Sequence, residues 1–195
     1  MTENNKTKYL TRIGVLSTIA FILMFIEFPI PIFPSFLKFD ISDIPALLGA
    51  FAMGPIAGVI IELLKNILHV IVKGSETGGV GQLANFLIGS AWVIPVGVLY
   101  KRKKSKKYAL ISLAVGAGSM IIMAALANYY ILLPFYAKIM PVEVIVGLGS
   151  AINAKIVDFA TLILYGITPF NIFKTIVISL ITIGLYKKVS PILHK

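Results

Sequence analysis

Long apolar stretches separated by short polar segments make up most of this 195-residue chain. A helix needs about 20 mostly apolar residues to cross a bilayer. Stretches that could supply such helices cover residues 10–28, 41–73, 83–100, 108–133 and 168–186. The pattern predicts an all-α integral membrane protein in which residues 1–195 form one domain, a single bundle of helices.

The second stretch is long enough for two helices because Gly54 and Pro55 interrupt it. Proline lacks a backbone N–H and is disfavoured inside a helix, so we expect helices at 41–53 and 55–73. Residues 134–166 are less uniformly apolar, and we expect them to form a partly helical segment at the outer face. Together with the other four stretches, this gives six transmembrane helices.

Charge placement orients the predicted helices. The chain is 58% hydrophobic and 13% charged, with mean hydropathy +0.94, whereas soluble domains carry roughly 25% charged residues. Its net charge of +10 could indicate nucleic-acid binding, but the basic residues flank apolar stretches and form no patch interleaved with aromatics. They lie mainly in three segments: Lys6, Lys8 and Arg12; KRKKSKK at 101–107; and Lys187, Lys188 and Lys195. The positive-inside rule makes these segments cytoplasmic, so both termini are predicted inside.

With this orientation, polar residues collect at the outer ends of four helices. Hydrogen-bonding side chains within a bilayer are costly and usually face a bundle interior or a water-filled cavity. The pattern therefore predicts a pocket that opens outward, lined by amides, carboxylates and one amine, with aromatic walls. The residues concerned are Asp40, Asp43, Gln82, Asn85, Asn128, Tyr129, Tyr130, Asn171 and Lys174.

Simpler structural roles compete with ligand binding at several of these positions. Asp40 or Ser42 could cap the helix that follows, since side-chain oxygens accept hydrogen bonds from first-turn N–H groups. Tyr129 and Tyr130 could belong to an aromatic belt at the membrane interface. Lys174 could extend its ammonium group toward water. Asn128 is harder to explain by a structural role, because an amide has four hydrogen-bond positions and no charge to extend into water.

The helix at 55–73 carries its own polar set, Glu62, Lys65, Asn66 and His69. Glu62 and Lys65 are three residues apart and share a helix face, so we expect a structural ion pair buried between helices. One histidine and one glutamate are too few to predict a metal site, and the chain has no cysteine.

Enzyme signatures are missing from the sequence. GSETGGVG at 74–81 resembles a phosphate-binding loop, but no Gly-Lys-Ser/Thr ends it. The sequence also contains no HExxH zinc motif and no GxSxG serine motif. We therefore expect no catalytic activity and no cofactor.

Small residues mark one side of the first helix. Gly14 and Thr18 are four residues apart, with Ser17 beside them. A small-xxx-small pattern permits close helix contact in a membrane. That contact could be internal or with a partner protein.

Three segments resemble the riboflavin-specific S components of energy-coupling factor (ECF) transporters. They are FPSFLKFDISDIPALLGAFAMGPIAGVIIELLKNILH (33–69), NYYILLPFY (128–136) and ITPFNIFK (167–174), in the family's order. The resemblance implies six helices in the cell membrane of a bacterium and capture of riboflavin from outside. It also implies partners, namely a transmembrane coupling protein and two ABC-type ATPases.

By the same resemblance, the ligand residues would be Asn128, Asn171 and Lys174, with the loop at Phe39 and Asp40 forming part of the pocket. The family's first helix carries an alanine-rich small-xxx-small contact for the coupling protein, and here Gly14 and Thr18 stand at the matching positions. The chemistry suits a flavin, since amides and an ammonium can bind its polar pyrimidine edge. The alternatives are an S component for another vitamin, such as thiamine or pantothenate, and a small membrane enzyme or assembly factor.

Overall fold

Helices account for nearly all the regular structure in residues 3–75 and 77–193, which the computed structural model describes; side chains are described for 5–75 and 77–186. The helices are α1 (Glu3–Met24), α2 (Asp43–Met53), α3 (Pro55–Lys73), α4 (Val80–Arg102), α5 (Lys106–Tyr136), α6 (Val142–Ser150) and α7 (Phe159–Leu193). Within the described residues, five helices are long and apolar enough to cross a membrane, and α2 is a shorter apolar helix. The all-helical prediction is confirmed apart from one short hairpin.

Some of the residues used to predict the topology lie outside the described set. They are Lys195, the side chains of Lys187 and Lys188, and Glu76 in the GSETGGVG segment at 74–81.

The hairpin follows α1, which ends at Met24 rather than at the predicted residue 28. Phe28–Pro29 pairs antiparallel with Lys38–Phe39. We name these strands β1 and β2. Prolines between them prevent a helix, and the pairing brings the segment before α2 back over the bundle.

Helices α2 and α3 meet at a tight turn. Gly54 has a φ angle of +97°, a left-handed conformation that other residues rarely adopt, and Pro55 is the first residue of α3. The sequence GP therefore ends one helix and begins the next without an intervening loop.

Helices α5 and α7 each contain one π-helical turn, at Asn128–Leu132 and Ile163–Ile167. Pro134 or Pro169 follows each turn within two residues. Because proline lacks an N–H, it cannot donate a regular helical hydrogen bond, and an inserted π turn relieves that break. Both turns lie at the ends of the helices that carry the predicted ligand residues.

The segment predicted at 134–166 is more helical than its composition suggests. It contains α6, and α7 begins at Phe159 rather than at the predicted residue 168. The cause is a capping box, in which Asp158 Oδ1 accepts from the Thr161 N–H at 2.7 Å and Thr161 Oγ1 accepts from the Asp158 N–H at 2.9 Å. Sequence periodicity alone did not distinguish this start.

Close packing of α4 against α5 and α3 forms the centre of the bundle. Trp92 is fully buried, and a Cβ atom added to Gly116 would lie 2.8 Å from it. Gly58 lies equally close to Val93, where an added Cβ would be 2.9 Å away. A second, smaller apolar cluster joins the C-terminal end of α5 to α6 and α7, through Leu133, Ile145, Ile156, Leu162 and Ile167.

Candidate functional site

Lys174 on α7 is held between two carboxylates, those of Asp40 just before α2 and Asp43 at its first residue. Its Nζ lies 3.0 Å from Asp40 Oδ2 and 3.0 Å from Asp43 Oδ2. All three side chains are buried. The structure thus joins two predicted site residues, Asp40 and Lys174, that are 134 positions apart. It contradicts the idea that Lys174 extends toward water, because its charge is satisfied inside the protein.

The two aspartates are almost completely covered by the surrounding protein, with Asp40 6% and Asp43 3% exposed. Ser42 occupies the N-cap position of α2, but its side chain caps none of the described N–H groups. Instead Asp40 Oδ1 accepts from the Ser42 N–H at 2.8 Å, and Ser42 Oγ accepts from Lys65 Nζ at 3.1 Å. The capping prediction for Ser42 was wrong because a buried ammonium group takes up its hydroxyl.

Lys65 extends the network to α3. Its Nζ pairs with Asp43 Oδ1 and lies 2.8 Å from Glu62 Oε2. Glu62 and Lys65 are fully buried, so the predicted pairing of these two side chains between helices is confirmed. We call Asp40, Asp43, Glu62, Lys65 and Lys174 the ion network. It connects α2, α3 and α7, and the sequence did not show that Asp43 and Lys65 would join Lys174.

Asn128 and Asn171 are both buried near the π turns. Each amide NH₂ donates to the carbonyl four residues earlier, at 2.8 Å, namely those of Ala124 and Ile167. The side-chain oxygens have no hydrogen-bond donor among the described residues and remain free to accept. Asn171 lies one turn before Lys174 on α7, so an amide and an ammonium share that face.

Aromatic rings build one wall beside this face. Phe39 is buried, and its ring centroid lies 5.7 Å from that of Phe28 and 5.9 Å from that of Phe173. Phe33 adds contacts to Phe173 at 5.8 Å and to Phe170 at 5.4 Å. Of these, only Phe39 was predicted; the available signals were ITPFNIFK for Phe170 and Phe173 and the segment 33–69 for Phe33.

Tyr129 and Tyr130 face a different space. They are 48% and 69% exposed and line an open groove of about 870 Å³. Its other lining residues come from the 134–160 region and include Glu143 and Asp158. The groove touches neither the ion network nor the two asparagines, so Tyr129 lies beside the candidate site rather than within it.

Gln82 and Asn85 on α4 face α3. Gln82 Nε2 lies 3.4 Å from His69 Nδ1, and Gln82 Oε1 accepts from Ser75 Oγ at 2.8 Å. Asn85 Oδ1 accepts from Asn66 Nδ2 at 3.4 Å. The structure therefore does not bring Gln82 and Asn85 against Asn128 or Lys174.

The small residues of α1 divide between two faces. Gly14 and Thr18 are exposed, and Thr18 Oγ1 donates to the Gly14 carbonyl at 2.9 Å. A Cβ atom added to Gly14 would meet nothing within 4 Å. Ser17 is only 2% exposed, so its side chain points into the bundle and is not available to an external partner.

A charged clamp braces the hairpin outside the spans. Glu27 Oε1 lies 3.1 Å from Lys38 Nζ on β2 and 2.8 Å from Lys73 Nζ at the end of α3. Partial burial raises the pKa of Glu27, but the hydrogen bonds and positive charges of Lys73 and Lys38 outweigh it and hold the pKa below its ordinary value. The described residues contain no group of three His, Asp or Glu side chains that could hold a metal ion.

Comparisons with known proteins identify relatives of this chain. The family model for the substrate-specific component of ECF transporters matches residues 8–186. The riboflavin transporter FmnP of Bacillus subtilis (strain 168) is 37% identical, over 95% of this chain and 94% of that protein. The riboflavin transporter RibU of Staphylococcus aureus (strain TCH60) is 40% identical, over 97% of this chain and 94% of that protein.

A solved structure of the S component of a bacterial ECF transporter also matches, with a TM-score of 0.75 and 37% identity. The match covers 97% of this chain and 99% of that one. Matches of this extent include the helices that carry the ion network and both asparagines. The chain therefore belongs to the family of substrate-specific components of ECF transporters.

Proposed function

We propose that this chain is the riboflavin-binding subunit of an ECF-type vitamin uptake transporter. The observation that supports this proposal most strongly is that the chain is 37–40% identical to two riboflavin transporters over nearly its whole length. The subunit captures the vitamin and performs no chemistry on it, which suits a family of transport components rather than enzymes.

The ligand site lies where α5, α7 and the segment before α2 approach one another. Lys174 and the free amide oxygens of Asn128 and Asn171 bind the polar pyrimidine edge of the flavin, which offers both acceptors and an N–H. Phe39 contributes an apolar face to the flat ring. Asp40 accepts from the hydroxyls of the ribityl chain.

Ligand binding at Lys174 competes with its ion pairs. In the ligand-free structure one N–H of the Lys174 ammonium group donates to Asp40 Oδ2. On binding, a carbonyl or ring nitrogen of the flavin accepts that N–H instead. Asp40 keeps its hydrogen bond from the Ser42 N–H and gains a hydroxyl in exchange. Tyr129 covers the outer side, while Gln82 and Asn85 contact the ligand only if their bonds to α3 open.

The helices cross the membrane six times, with both termini in the cytoplasm. The basic segment 101–107 between α4 and α5 supports this orientation. Helix α2, with 11 residues, is about 16 Å long at 1.5 Å per residue and cannot span the roughly 30 Å hydrocarbon core alone. The hairpin fills the remaining depth on the outer side.

A coupling protein and two ABC-type ATPases complete the transporter in the bacterial plasma membrane. The exposed face of α1 around Gly14 and Thr18 suits close contact with a helix of the coupling protein, because small residues let backbones approach. ATP hydrolysis belongs to the partners, consistent with the lack of a phosphate-binding motif in this chain.

A competition titration tests the choice of vitamin. The detergent-purified chain should quench riboflavin fluorescence. An excess of riboflavin should also displace a fluorescent flavin analogue that is already bound, which restores the fluorescence of the analogue. Thiamine and pantothenate should not compete. If either of them displaces the flavin, or binds where riboflavin does not, the chain serves another vitamin.

A further inference from the structure

The ion network contains an odd number of charges. Asp40, Asp43 and Glu62 supply three carboxylates, whereas Lys65 and Lys174 supply two ammonium groups, and no member is more than 6% exposed. If every group were ionised, the network would carry one uncompensated negative charge. A buried charge without a partner is strongly unfavourable, above all within a membrane.

The three carboxylates are not equally supported as anions. Asp43 pairs with both lysines, one at each oxygen. Asp40 has Lys174 at one oxygen and the Ser42 N–H at the other. Glu62 has a single ion contact, at Oε2, and its Oε1 accepts no hydrogen bond from the described residues. Glu62 is thus the least stabilised of the three in its charged form.

No further cation faces Glu62 in the described structure. The charged groups near it are Lys65 on its own helix, Asp43 on α2 and Lys174 on α7. Helix α4 presents Gly89, where an added Cβ would collide with the Glu62 carboxylate. No ionisable side chain occurs in residues 80–99 of α4 or in residues 13–24 of α1.

An unused acceptor lies one turn away on the same face of α3. Asn66 is buried, and its Oδ1 has no hydrogen-bond donor among the described residues. Residues four apart on a helix are neighbours. A protonated carboxyl group is a donor as well as an acceptor, so a proton on Glu62 would add a hydrogen-bond donor to a part of α3 where two buried oxygens, Glu62 Oε1 and Asn66 Oδ1, have none.

We propose that Glu62 is a buried proton-binding site, a neutral carboxylic acid at neutral pH that leaves Asp40 and Asp43 to balance Lys65 and Lys174. The proton makes the ion network electrically neutral inside the bundle. It also leaves Lys65 and Lys174 paired with the two aspartates.

Infrared spectroscopy of the detergent-solubilised full chain tests this directly, because the carbonyl stretch of a protonated carboxyl group is separate from carboxylate bands. At neutral pH the wild type should show the acid band. Glu62→Gln should abolish it, and Glu143→Gln, which changes an exposed carboxylate, should leave it intact. Absence of the band from the wild type, or its survival in Glu62→Gln, overturns the proposal.

Thermal unfolding gives a second readout. Glutamine imitates a neutral acid, so Glu62→Gln should leave Tm unchanged. Lys65→Gln leaves a buried aspartate unbalanced and should lower Tm by on the order of 10 °C. A fall in Glu62→Gln as large as that in Lys65→Gln would mean that Glu62 acts as an anion. Neither measurement uses a ligand, so the result does not depend on whether riboflavin binds.

Discussion

Lys174 Nζ lies 3.0 Å from Asp40 Oδ2, which ties the last helix to the segment that precedes α2. Both groups are buried, and both belong to the proposed riboflavin site. The ligand-free site is therefore held together by an ion pair whose members also bind the ligand.

Lys174→Met tests the importance of that pair. The change leaves Asp40 and Asp43 without their shared cation, and breaking a buried pair in this way costs about 3–5 kcal/mol of stability. Riboflavin affinity should fall as well. Thermal unfolding and fluorescence quenching measure the two effects. Lys138→Met, at an exposed lysine, is the control and should alter neither; a Lys174→Met protein with wild-type stability would contradict the ion network.

Asn128→Ala tests the amide on α5. Its loss would leave polar atoms of the bound flavin unpaired, so we expect binding weaker by about 1–3 kcal/mol. A riboflavin titration followed by fluorescence measures the change. Asn153→Ala, which removes an amide from the loop before α7, should bind normally. Unchanged affinity in Asn128→Ala would remove this residue from the pocket.

Pro134→Ala tests whether the π turn positions Asn128. Alanine restores a backbone N–H, which lets α5 continue as a regular helix and rotates the residues before it. We expect weaker riboflavin binding without a loss of thermal stability. Pro95 also lies inside a helix but has no π turn beside it, so Pro95→Ala should not weaken binding. Equal affinities in all three proteins would show that the turn has no role in the site.

Gly14→Leu tests the proposed docking face. The isolated chain should bind riboflavin normally, because an added side chain meets open space. Uptake by the assembled transporter should fall, since leucine prevents close helix contact. Gly118 on α5 is also exposed and equally unobstructed, so Gly118→Leu should transport normally. Normal uptake by Gly14→Leu cells would place docking elsewhere.

Acidification tests the clamp at Glu27. Its pKa is lowered in the folded protein, so its stabilisation is present above the unfolded pKa and is lost as pH falls through the folded value. The effect should be small, because the clamp is partly exposed. Between neutral pH and about pH 3, Tm should fall less in Glu27→Gln than in the wild type. Parallel curves would show that the clamp adds no stability.

The sequence predicted the apolar helices because hydrophobic runs and the Gly54-Pro55 break are local features. It also identified Asn128, Asn171, Lys174 and Asp40 as candidate site residues. It could not show that Lys174 lies between two aspartates, since that contact joins positions 134 residues apart.

The sequence also could not predict the direction in which each helical side chain points. Ser17 lies beside Thr18 in sequence but faces the bundle interior, because adjacent helical residues point about 100° apart. Gln82 and Asn85 lie in the first turns of α4, yet they bond to residues of α3. Counting spans leads to an expected depth for each residue. The neighbouring helix that a side chain of α4 contacts depends instead on how the helices pack around Trp92 and the glycines beside it.

The visible absorption spectrum of the detergent-purified chain tests the central claim most directly. After incubation with riboflavin and removal of the excess, the protein should retain flavin absorbance at about one flavin per chain. Lys174→Met protein treated identically should retain much less. A colourless wild-type protein that also fails to quench added riboflavin would contradict the proposal that this chain binds riboflavin.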